Sequence, residues 1–118
     1  MSASRQSRIF TFEEARSLLP QVREITRDAI EQLAAIQLAI DDTESGEREL
    51  SHEELQRAAA ELLDRWAAKI REIGAEVKGP WLVDFDSGGG YYCWKWPEEG
   101  LDFFHSYEEG FSGRLPIQ

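Results

Sequence analysis

Apolar residues recur at Ala15, Leu18, Val22, Ile25, Ala29, Leu33, Ile36 and Ile40, always three or four positions apart. That spacing keeps one face of a helix apolar for about seven turns. Thr11 and Glu14 form a capping box at its start, each side chain placed to bond the other's backbone amide, so the helix begins at about Phe12. Pro20 falls inside the pattern. A proline removes one helical hydrogen bond and crowds the preceding turn, but it is favoured in a first turn. The helix either kinks there or breaks, and the pattern favours the break: a short helix ending near Leu18, then a new one opened by Pro20.

Between Ile30 and Ile40 only Glu31, Gln32 and Gln37 are polar. A helix apolar nearly all round is expected to be covered on more than one side. Residues 41–49 form a polar connection around Gly46. Ser51 and Glu54 then make a second capping box, with Leu50 and Leu55 placed as its hydrophobic staple. The helix that follows turns Leu55, Ala59, Leu62, Trp66, Ile70 and Ile73 to one side, and Gly74 stands where a C-terminal cap belongs. So short a connection makes the two long helices antiparallel neighbours, each roughly 30–35 Å long.

After Gly74 the period falls from 3.6 to about 2. Residues 75–78 read as a short strand, and 81–86 and 91–96 as a hairpin closed by Ser87, Gly88, Gly89 and Gly90. Residues 101–105 read as a returning strand, and 108–114 as loop. The fold class is α+β: a long antiparallel helical hairpin followed by a small antiparallel β-meander of three to four strands. The 118 residues make a single domain, with 1–10 a flexible tail, 11–74 the hairpin and 75–118 the meander and C-terminal loop.

Composition narrows the partners. Twenty-three acidic against thirteen basic side chains give a formal charge of −10, which opposes a nucleic-acid binder in need of a basic face. No stretch is long and apolar enough for a membrane span, and residues 1–10 hold no signal-peptide run. Cys93 is the only cysteine, so no internal disulfide forms and a reducing, cytoplasmic setting fits.

Three stretches together resemble the bacterial and archaeal domain-of-unknown-function family twenty-two-oh-three. The first is Phe10-Thr11-Phe12-Glu13-Glu14-Ala15-Arg16-Ser17-Leu18-Leu19-Pro20. The second runs from Gly79 to Phe85 around Leu82-Val83-Asp84-Phe85. The third runs from Cys93-Trp94-Lys95 through Phe104-His105 to Glu109-Gly110-Phe111-Ser112-Gly113-Arg114. Members of that family often carry glycine where Trp81 stands, and a longer basic turn where this chain has Gly88-Gly89-Gly90. The resemblance implies a cytosolic microbial protein and supplies no activity.

Ten of the thirteen aromatic residues lie between Trp81 and Phe111, so any site is expected in the last third of the chain. Asp84, Asp86, Asp102, His105, Glu108 and Glu109 are its candidate constellation. Asp84, His105 and Glu108 are the metal ligands we select, a set suited to zinc, manganese or iron(II). A buried imidazole needs a polar partner, so His105 is expected to meet Asp84 or Glu108. Cys93, with no helix N-terminus beside it to lower its pKa, reads as a small core residue rather than a nucleophile. Trp94, Lys95 and Arg114 are candidate ligand contacts. Arg114 reads first as a structural tie to Glu108 or Asp102. The glycine turn precedes a strand rather than a helix, which excludes a phosphate loop, and His52 lacks the second histidine of a zinc-protease helix. The leading functional reading is a non-catalytic homodimer paired through the helix from Ile30 to Ile40. A small-ligand or divalent-metal-binding protein follows, then a metal-assisted hydrolase.

Overall fold

The computed structural model describes residues 8–44 and 52–117, and the side chains of all but 42–44 among them. Its architecture is α+β, a helical hairpin followed by a β-meander. Helix α1 spans Phe12–Glu44 and α2 spans His52–Ile73. The first capping box forms as expected: the Thr11 amide donates to Glu14 Oε1 at 2.9 Å and the Glu14 amide to Thr11 Oγ1 at 3.0 Å. The second box and its staple rest on Leu50 and Ser51, outside the described residues.

Pro20 does not break α1, contrary to the expectation. The helix runs through it for 33 residues, about 50 Å at 1.5 Å per residue. Arg16 and Pro20 are both exposed, so the carbonyl that loses its donor lies on the wet side. Ala15, Leu19 and Val22, on either side of the proline, are all buried in one core, and that packing holds the helix continuous. Trp66 on α2 locks the pair further by donating its indole N–H to Thr26 Oγ1 at 2.9 Å, both residues being buried.

Five strands follow: β1 (Glu76–Gly79), β2 (Leu82–Asp86), β3 (Tyr91–Lys95), β4 (Phe103–His105) and β5 (Leu115–Pro116). They pair in chain order, every neighbour antiparallel. The last strand was not foreseen, because two residues are too few to show a period. Trp81, before β2, has φ +62°. Left-handed backbone is strained for any residue with a Cβ, so this position is one that glycine would occupy more easily.

Alternation splits the sheet into two unlike faces. Val83, Phe85 and Trp94 point into the helices and join Val22, Trp66 and Ile70 in the core. Asp84, Cys93 and His105 occupy the other face, where 106–114 folds back: Tyr107 packs on Tyr91, with centroids 5.1 Å apart, and the Arg114 guanidinium lies 3.9 Å over the Phe103 ring.

Residues 8–10, expected to belong to a flexible tail, are docked on the rest of the chain. The Arg8 amide donates to the Gly74 carbonyl and the Phe10 amide to the Asp86 carbonyl, while Ile9 bridges to Asp86. Phe10 is 1 % exposed and meets Phe85 edge-on. Gly74 is required here twice over. Its φ is +106°, and a Cβ would stand 2.6 Å from Arg8 Cγ.

Candidate functional site

The turn at 87–90 pairs Asp86 with Tyr91, and two steps back along each strand pairs Asp84 with Cys93. β4 then sets His105 opposite Tyr91. Three adjacent strands thus bring an acid, a thiol and an imidazole to one side of the sheet. All three are buried, at 1 %, 0 % and 4 % exposure, on the face that is not the apolar core.

His105 Nε2 lies 2.9 Å from Asp84 Oδ2, one of the two partners expected from sequence. Its Nδ1 lies 2.8 Å from the Ser106 carbonyl oxygen, which can only accept, so Nδ1 carries a proton. Nε2 and Oδ2 therefore share one proton between them. Burial pushes the Asp84 carboxyl above the ordinary carboxylate range, against the opposing influence of Cys93 and His105. Cys93 is close enough to favour the charged carboxylate, yet Asp84 Oδ1 has no donor at hydrogen-bonding geometry. An unpaired oxygen on so buried a residue is costly. The Cys93 thiol is pushed up to about 12, first by burial and then by the charge of Asp84. One ligand atom from each of Asp84, Cys93 and His105 can be chosen so that all lie within 4.8 Å of one another.

Asp84 and His105 also form part of the wall of a cleft of about 460 Å³, which Tyr91 and Tyr107 line as well. Glu108, selected from sequence as the third ligand, lines the same cleft but is exposed in the loop, outside the buried set. Asp86 is occupied, accepting from the Tyr107 hydroxyl at 2.7 Å and the Gly88 amide at 2.9 Å. Asp102 lies elsewhere, in a second cleft of about 440 Å³ beside Arg16 and Arg23.

Trp94 and Arg114 are engaged within the chain by their side chains, and Lys95 by its backbone amide. Trp94 is buried in the core and donates its indole N–H to the Glu98 carbonyl at 2.8 Å. The Lys95 amide donates to Glu98 Oε1 at 2.9 Å. Arg114 is indeed a tie, but to Glu98 rather than Glu108 or Asp102: Nη2 donates to both carboxylate oxygens, at 2.8 and 2.7 Å. Glu98 carries no sequence signal for this role, since its partner lies sixteen residues away. Cys93 did carry one, because the length of the hairpin turn places it opposite Asp84.

The family model described as "Uncharacterized conserved protein (DUF2203)" matches residues 8–117. The chain belongs to the DUF2203 family. The match takes in residues 8–10, so the stretch that closes the sheet against Gly74 is part of the DUF2203 unit. It also takes in Asp84, Cys93 and His105. No curated protein and no solved structure matches this DUF2203 chain significantly.

Proposed function

We propose that this DUF2203 protein is a binding protein whose ligand occupies the cleft over Asp84 and His105. The observation that carries this reading is Asp84 itself: a residue 1 % exposed, with Oδ1 lacking a donor, on the wall of a sizeable cleft. Buried polar groups in folded proteins are nearly always satisfied, so an unsatisfied one beside a cleft points to a missing partner. The family match assigns no activity, and the placement of the site supports binding without naming a reaction. A free, protonated thiol suits a reducing, cytosolic setting. Among the described residues no helix is long and apolar enough to cross a membrane.

Thermal-shift measurements against a panel of divalent metals and small organic metabolites test the reading. At least one ligand is expected to raise the melting temperature of the protein and to leave that of Asp84→Asn unchanged. A panel without effect, or an effect equal in the variant, overturns it.

A second reading is favoured by Leu38, which is 67 % exposed. Among the described residues, only one side of the segment from Ile30 to Ile40 is covered: Ile40 is buried, Leu33 and Ile36 are half-buried, and Ala34 and Ala35 are exposed. A homodimer pairing two hairpins across this helix would cover the rest with a self-complementary surface. Sedimentation at micromolar concentration decides it: a dimer that Leu38→Glu dissociates supports the pairing, and a 13.5 kDa monomer ends it.

A further inference from the structure

We infer that Asp84, Cys93 and His105 are the protein ligands of one thiophilic divalent transition-metal ion, zinc being the best fit, with its remaining coordination position turned to the cleft. The inference rests on the reading of the cleft as a binding site and names the ligand held at its foot.

Geometry comes first. Tetrahedral zinc, with bonds of about 2.0–2.3 Å to oxygen, nitrogen and sulfur, sets its ligand atoms roughly 3.3–3.8 Å apart. The donors of Asp84, Cys93 and His105 already lie within 4.8 Å of one another, with Asp84 Oδ2 and His105 Nε2 at 2.9 Å. An ion entering between those two atoms displaces their shared proton and the Cys93 thiol proton to solvent, and widens the gap by about half an ångström.

Orientation comes second. The Ser106 carbonyl holds the Nδ1 proton of His105 and so presents Nε2. A backbone carbonyl on the far nitrogen is the arrangement that fixes the ring of a metal-bound histidine. Charge and softness agree with this. A carboxylate, a thiolate and a neutral imidazole bring two negative charges, which a divalent ion neutralises at a buried position. The sulfur disfavours magnesium and calcium, which prefer oxygen ligands, and favours zinc, cobalt or iron(II).

The open position follows from the walls. Asp84 and His105 line the cleft, whereas Cys93 does not. The ion is held from behind and approached from the front. Three protein ligands and an exchangeable position distinguish this centre from a closed four-ligand structural site. Glu108 at the cleft margin is not required.

The test uses the full chain, stripped with chelator and titrated with zinc or cobalt(II). One equivalent is expected to bind, and cobalt is expected to give tetrahedral d–d bands with a thiolate-to-metal charge-transfer band. Cys93→Ser is expected to lose the charge-transfer band and to weaken binding at least about a hundredfold, while its circular dichroism stays that of the wild type. Cobalt bound without a thiolate band, or equal affinity in Cys93→Ser, overturns the inference, and the first readout needs no variant. If organic ligands shift the melting temperature and metals do not, the metal centre falls while the cleft reading stands. If nothing binds, both fall.

Discussion

Burial sets the proton inventory around Asp84. Its own carboxyl is raised by desolvation, and the neighbouring thiol is raised from 9.0 to about 12, chiefly by burial and secondly by that carboxylate. The sign for Cys93 is that of a proton held more tightly in the folded chain. Its contribution to stability is complete below the unfolded pKa and is lost as pH rises from about 9 toward 12. Metal-free protein is therefore expected to lose stability over this window faster than Cys93→Ser, by an amount on the order of a few kcal/mol at the alkaline end. Urea titrations of both proteins in chelator, repeated through the window, check it. Equal slopes would show that the thiol ionises in the folded state as easily as in water.

At the scale of the element, α1 shows how far tertiary packing overrides a local rule. A proline inside a helix costs roughly 3 kcal/mol relative to alanine, yet buried neighbours on both sides keep this helix whole. Pro20→Ala restores a donor to the Arg16 carbonyl, while the unfolded chain gains about 0.4–1 kcal/mol of conformational freedom. The substitution is expected to stabilise the protein by about 1–2 kcal/mol, read from denaturation midpoints. A loss of stability would mean that a bend at Pro20 is part of how α1 meets the sheet.

For the molecule as a whole, the N-terminal segment is the clasp between its two layers. Residues 8–10 bond Gly74 at the end of α2 and Asp86 at the end of β2, and Phe10 fills the core between them. Phe10→Ala is expected to cost about 3–5 kcal/mol, as deleting a fully buried ring does. Guanidinium unfolding measures it. A cost below about 1 kcal/mol would show that the segment merely lies against the surface. Because Phe10 bonds Asp86, two residues from Asp84, the same variant should loosen the sheet that carries the site.

What the sequence determined by itself is what neighbours in the chain can decide. Thr11 and Glu14 cap each other within one turn, the apolar spacing selects one face of α1 and α2, and the turn at 87–90 sets the register that places Asp84 opposite Cys93. That His105 meets a carboxylate was legible too, because a buried imidazole among acids must find one, but the choice of Asp84 over Glu108 was not. Tertiary structure alone decided the rest. The continuity of α1 through Pro20 comes from a core built by distant residues. The docking of Phe10 joins residues more than seventy positions apart, and Arg114 chose Glu98 because the chain after β4 folds back that way. Most of all, the burial of Asp84, Cys93 and His105 depends on several elements closing around them. Desolvation is a property of everything that surrounds a group, and no local pattern contains it.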